Sequence, residues 1–128
     1  MTCLFCEIPS ERIIAENELV YAVRDAFPVT SLHSLIIPKR HAVDYFELTP
    51  EEILSSDKLI HELKQSISNL DPTVVAFNIG INAGEAAGQT IFHSHIHLIP
   101  RRIGDVKNPR GGIRHLIPNK GFYQEVND

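Results

Sequence analysis

The chain has 128 residues, 43% of them apolar and 22% charged, with a formal net charge of −4 at pH 7. That is the size and composition of one globular domain with a real core, without the basic balance of a nucleic-acid-binding protein. No run of about 18 apolar residues is present to span a membrane, and two cysteines three apart do not make a disulfide framework. The N-terminus (Met1-Thr2-Cys3-Leu4-Phe5-Cys6-Glu7) lacks a basic and an apolar leader region, so a cytoplasmic protein is expected. Charge is uneven: residues 1–97 carry 6 Lys/Arg against 13 Asp/Glu, and residues 98–128 carry 6 against 3. The C-terminal excess of cations predicts an attraction for an anionic substrate there.

Leu19-Val20-Tyr21-Ala22-Val23-Arg24 is apolar, aromatic and β-branched, and reads as a strand ending at Asp25. Phe27-Pro28-Val29-Thr30 breaks it. His33-Ser34-Leu35-Ile36-Ile37 is a second strand stopped by Pro38, and Lys39-Arg40-His41 follows as a loop. Thr49-Pro50-Glu51-Glu52 carries a cap, a proline suited to the first turn and the acid of a capping box. Ile53, Ile60, Leu63, Ile67 and Leu70 then predict an apolar helical stripe running to Asp71-Pro72. Thr73 to Gly80 reads as a third strand, residues 82–90 as a Gly-rich loop, and residues 103–128 as an irregular tail. Strands on both sides of one long helix predict a single α+β domain over residues 1–128, with a small, mainly antiparallel sheet.

The most informative stretch is His93-Ser94-His95-Ile96-His97-Leu98-Ile99. In a strand, alternation would set three imidazoles on one face and Ser94, Ile96 and Leu98 on the other. Three roles fit: an HxH metal site, a nucleophilic histidine between supporting histidines, or an exposed face of solvated rings. The preceding loop favours phosphate chemistry. Gly84 and Gly88 allow backbone N–H groups to approach an anion, and Asn82, Gln89 and Thr90 add neutral hydrogen-bonding groups. A neutral imidazole with one nitrogen tied to a backbone carbonyl exposes the other lone pair for attack on phosphorus. The flanking histidines, partly protonated near neutral pH, would stabilise phosphate oxygens and protonate the leaving group.

These residues resemble the motif of the histidine-triad (HIT) nucleotide hydrolases and transferases. Gly88-Gln89-Thr90 ahead of the motif, Asn82 and His33-Ser34-Leu35-Ile36-Ile37-Pro38 extend the resemblance over about residues 3–105. Ile99-Pro100-Arg101-Arg102-Ile103-Gly104-Asp105 is more similar to the dinucleoside-polyphosphate hydrolase branch than to the purine phosphoramidase branch. The resemblance implies that His95 forms a nucleotidyl-histidine intermediate. It implies that His97 and Gln89 contact the α-phosphate and bridging oxygen, with Asn82 and Thr90 nearby. It implies that His93 supports His95 by hydrogen bonding with His33 adjacent, and that Asp25 meets the ribose. It also implies a small α+β fold, an adenine-nucleotide substrate, no catalytic metal and a homodimer. Two positions depart from the motif: Ser94 stands where a hydrophobic residue is usual, and Leu32 where a glycine is common.

Cys3-Leu4-Phe5-Cys6 has the spacing of half a four-ligand zinc site, or is simply two free thiols. His41 is the first candidate for a third ligand. Resemblance to the galactose-phosphate uridylyl transferases implies His93 as the fourth, in a structural zinc site. His61 and His115 read as surface or local hydrogen-bonding residues. Three functional readings remain open: a nucleotidyl-transferring hydrolase or phosphoramidase, a nucleotide-binding module with incidental turnover, and a metalloenzyme holding its ion on the three motif histidines.

Overall fold

The computed structural model describes residues 3–123; the last five residues of the expected domain and tail, and the first two, lie outside the described residues. Five strands form one antiparallel sheet: β1 (Ile13–Glu16), β2 (Val20–Arg24), β3 (Ser34–Pro38), β4 (Val74–Ile81) and β5 (Ile96–Arg102). Their order is β1-β2-β3-β5-β4, and helix α1 (Pro50–Leu70) packs on one face. The α+β expectation therefore holds, with every strand pair antiparallel. No helix of the described residues is long and apolar enough to cross a membrane.

Alternation along the central strands builds two cores. Val20 and Ala22 of β2, Ile36 of β3 and Leu98 of β5 face the helix and pack on Leu59, Leu63 and Ile67. Tyr21, Val23, Leu35 and Ile37 face the other way and gather around Phe5. With no helix on that second face, the N-terminal segment covers it. A short 3-10 turn at Leu4–Cys6 buries Phe5, whose carbonyl accepts the Tyr21 hydroxyl. The strand at Ile13–Glu16 is not in the sequence reading; its four residues alternate half-buried and exposed at the sheet edge, too short to show a period.

The helix starts as its sequence predicts, with Thr49 Oγ1 accepting from Glu52 N–H and Glu52 Oε1 accepting from Thr49 N–H. Its buried stripe holds the predicted Leu63 and Ile67, with Ile60 packed against the core, but departs from the prediction at both ends. Glu52, Ser56, Leu59, Leu63 and Ile67 face the sheet, while Ile53 is 38% and Leu70 66% exposed. Two polar residues occupy the inward face because Glu52 has work there: Arg40 donates to both its carboxylate oxygens, at 3.1 and 2.8 Å. Those bonds hold the Glu52 carboxyl below the usual carboxylate range and tie the loop at residues 39–41 to the start of α1. Ser56 Oγ donates to the Glu52 carbonyl, so its burial leaves no orphaned hydroxyl.

Leu32 has φ of 73°, in the left-handed region. The turn into β3 needs a positive φ, a conformation that favours glycine and costs a β-carbon-bearing residue about 1–2 kcal/mol. Leu32 offsets that cost by packing against the helix-side core, and Ser34 Oγ donates to its carbonyl. Beyond β5, the tail forms a 3-10 turn at Gly112–Leu116 that lies over β4, with Ile113 beside Gly80 and Gly112 beside Asn78.

Candidate active site

β5 begins at Ile96, so His93, Ser94 and His95 precede the strand rather than belong to it. The expected alternation nevertheless persists, because Ser94 N–H donates to the Ala42 carbonyl at 2.7 Å and keeps the segment aligned. Ser94, Ile96 and Leu98 turn towards the helix side, and the rings of His95 and His97 lie 5.2 Å apart on the other face. Ser94 Oγ is buried and finds no partner among the described residues.

Hydrogen-bond partners assign a tautomer to each ring. His95 Nδ1 lies 2.9 Å from the His93 carbonyl, which can only accept. Nδ1 therefore carries the proton, and Nε2 presents a bare lone pair. His33 Nδ1 accepts from Val29 N–H at 3.1 Å, so neutral His33 is protonated at Nε2 and donates to His97 Nδ1 at 2.9 Å. That leaves His97 with a free Nε2–H donor. His93 points its Nε2–H at the Pro38 carbonyl, 2.7 Å away, and its bare Nδ1 at the two cysteine sulfurs.

Burial pushes His33 and His93 down and takes His97 to about 4, the neighbouring His95 and His33 adding to the shift and Asp25 opposing it. The flanking histidines are therefore neutral near pH 7, not partly protonated as the sequence predicts. His93 is hydrogen-bonded to His95 through its backbone carbonyl. His33 partners His97 and lies 3.5 Å from Asp25, rather than adjoining His95 or His93.

These groups open on a cleft of about 260 Å3 that brings together Asp25, Asn82, Thr90, His95 and His97. Leu4, Phe5, Leu35 and Ile91 supply apolar walls, with Phe5 edge-on to His95 at 5.0 Å. Gln89 is not among the lining residues. It is buried, its Oε1 accepting from Gly84 N–H and its Nε2 donating to the Val43 and Ile91 carbonyls, so it braces the Gly-rich loop from behind. Gly88, at φ 93°, lines the cleft with no side chain, as close approach of an anion to backbone requires.

The two arginines that follow the motif are used elsewhere. Arg101 pairs with Asp105 and Asn78, and Arg102 with Asp71 at the end of α1. The cation lining the cleft is Arg12, from the 3-10 turn before β1, whose guanidinium also donates to the Arg24 carbonyl. Nothing near Arg12 in the sequence marks it, since only the pairing of β1 with β2 carries it to the cleft.

Cys3, Cys6, His41 and His93 form a second constellation, their donor atoms all within 4.8 Å of one another. Cys3 Sγ to His93 Nδ1 is 3.3 Å, Cys6 Sγ to His41 Nδ1 3.2 Å and Cys6 Sγ to His93 Nδ1 3.5 Å. Tetrahedral zinc at its usual bond lengths needs sulfur and nitrogen about 3.5 Å apart. The donor set fits, and the Pro38 carbonyl fixes His93 in the tautomer a metal requires. By contrast, no metal-capable group among the described residues joins His93, His95 and His97, whose nitrogens face three different partners. His61 and His115 bond locally, to the Asp57 and Arg110 carbonyls.

The HIT domain profile matches residues 6–104. A zinc-bound histidine triad family protein from Mycobacterium smegmatis superposes with a TM-score of 0.74 at 36% identity, covering 81% of this chain and 78% of that one. The Plasmodium falciparum diadenosine triphosphate hydrolase does so with a TM-score of 0.73 at 31% identity, covering 80% and 69%. An adenylylsulfatase of Arabidopsis thaliana is 34% identical over 80% of this chain and 54% of its own. The chain belongs to the HIT family.

Because His97 titrates near 4 when folded, against an ordinary 6.5, the unfolded chain binds more protons between those values. The stability that neutral His97 contributes is thus present above about pH 6.5 and is lost as pH falls towards 4, with a slope of up to about 1.4 kcal/mol per unit. Urea unfolding midpoints measured from pH 7 to 4.5 should decline less steeply in His97→Gln than in the unaltered chain. Equal slopes would contradict the burial argument.

Proposed function

We propose that the protein is a nucleotidyl-transferring hydrolase that cleaves dinucleoside polyphosphates through a nucleotidyl-His95 intermediate. The observation that carries this reading is the lock on His95: its Nδ1–H donates to the His93 carbonyl, and its bare Nε2 belongs to a ring lining the cleft. A binding module would gain nothing from an imidazole held as a nucleophile. Family membership and the likeness to the Plasmodium falciparum diadenosine triphosphate hydrolase support the chemistry and the substrate class.

In the first step the Nε2 lone pair attacks the α-phosphorus. The bond from phosphorus to the bridging oxygen breaks, and the nucleoside polyphosphate departs with the electron pair. In the second step water attacks the same phosphorus, the P–N bond breaks, and its electron pair returns to Nε2 as nucleoside monophosphate leaves. The proton released by the water passes to solvent. His97 donates its Nε2–H to a phosphate oxygen, with His33 fixing the direction of that donor from behind. Neutral donors suit this task, since they stabilise the developing charge without binding the ground-state polyanion too tightly. Arg12 supplies the positive charge, Gly88 admits the phosphates to the backbone, and Asn82 and Thr90 hydrogen-bond them. Asp25, one oxygen held by Phe27 N–H at 2.8 Å, accepts from a ribose hydroxyl.

Structural zinc at Cys3, Cys6, His41 and His93 belongs to the same reading, supported by the donor spacing and by the zinc-bound Mycobacterium smegmatis structure. When bound there, the ion would be structural, joining the N-terminal turn to the loop after β3 and to the motif. The residues themselves hold His93 where its carbonyl meets His95.

Intact-protein mass spectrometry after brief mixing with diadenosine polyphosphate should show one added nucleotide monophosphate, absent in His95→Ala. Hydrolysis by His95→Ala at a near-normal rate would overturn the nucleophile assignment. Elemental analysis should find one zinc per chain in the unaltered protein and much less in Cys6→Ser, which should also melt several degrees lower. An unaltered protein with no bound metal and the same melting temperature as the variant would remove zinc from the account.

A further inference from the structure

A second cleft, of about 400 Å3, opens beside the first. The two share Asp25, Phe27, Asn82 and His97 and diverge from there. One runs to His95; the other runs over Val29 to Ile113 and Leu116 of the C-terminal 3-10 turn. We propose that the second cleft is a leaving-group subsite, receiving the departing nucleoside of a dinucleoside polyphosphate while the retained nucleotide occupies the first. The proposal rests on the nucleotidyl-transfer reading above and adds to it which half of the substrate lies where.

The polarity of the surface matches that molecule. Its middle is a row of phosphates, and the junction of the clefts holds the free Nε2–H of His97 together with Asn82. Its ends are aromatic bases, and each cleft runs outward onto apolar walls. Phe27, Val29, Ile113 and Leu116 are 88, 72, 57 and 72% exposed, an apolar patch that a base would cover directly beside the reacting centre. A leaving group as small as ammonia would not reach those walls.

Gly80 pairs with His97 in the β4–β5 register and lines this cleft beside Ile113, where a β-carbon would make an ordinary contact of 3.6 Å with Ile113 Cδ1. The step requires no new chemistry: the bond from α-phosphorus to bridging oxygen breaks, and the nucleoside polyphosphate leaves with the electron pair along this cleft.

Two donors that place the same adenylyl group on His95 test the assignment: diadenosine tetraphosphate, and adenosine 5′-phosphoramidate, whose leaving group is ammonia. The reading is the ratio of kcat/KM for the first over the second. In Ile113→Ser/Leu116→Ser that ratio should fall about tenfold or more, and in Ile113→Val/Leu116→Met it should stay near the unaltered value. Because the altered side chains are exposed, the fold should survive, which a melting curve confirms. An unchanged ratio in the double serine variant overturns the subsite. If that unchanged ratio comes with a changed oligomeric state on gel filtration, the patch belongs to a second copy of the chain. If the unaltered protein cleaves the phosphoramidate but not the tetraphosphate, nucleotidyl transfer stands and the subsite falls. If it cleaves neither, the nucleotidyl-transfer reading itself falls.

Discussion

The carbonyl of His93 accepts the Nδ1–H of His95 at 2.9 Å, and the site depends on where that carbonyl is held. Four constraints hold it. The His93 ring donates to the Pro38 carbonyl at the end of β3, and its other nitrogen faces Cys3 and Cys6. Ser94 N–H is bonded to Ala42, and β5 begins two residues later. One residue thus serves four neighbours with three different groups: ring Nε2, ring Nδ1 and backbone oxygen. The N-terminal turn, the loop after β3 and the motif strand meet there, and together they fix the direction of the His95 ring.

Electrostatics in the cleft follow from the same packing. Burial favours the neutral form of His33, His93 and His97, so the cleft presents oriented neutral donors and, among the described residues, one lining cation, Arg12. The chain Val29 N–H to His33 to His97 has one direction only, because a backbone N–H cannot accept. His97 is thereby left pointing a proton outward. A protonated His97 would need a second acceptor at Nδ1, where His33 already donates. Desolvation and hydrogen-bond direction thus favour the same protonation state.

Much of this was legible in the residues. The capping box at Thr49–Glu52 and the strands β2 and β3 follow local rules, and the structure has them. Resemblance to the triad motif picks out His95 and His97 as cleft residues, and the CxxC with His41 and His93 converges as implied. What was not legible depends on partners distant in sequence. The helix stripe is turned by Glu52, whose inward place is set by Arg40 twelve residues away. Arg12 reaches the cleft only through the sheet, and Gln89 faces inward because Val43 offers it a carbonyl. Charge counting misplaced the cations: Arg101 and Arg102 follow the motif but bond to Asp105, Asn78 and Asp71. Leu32 is intermediate: its departure from glycine is visible in the sequence, while the positive φ that explains it is not.

The tautomer of His95 can be measured directly. Long-range proton–nitrogen correlation NMR on histidine-labelled protein at pH 7 reports which ring nitrogen of each histidine carries the proton. His95 should be protonated at Nδ1 with Nε2 bare, and His97 at Nε2. A His95 resonance showing Nε2 protonated and Nδ1 bare would place the proton on the attacking atom and contradict the account.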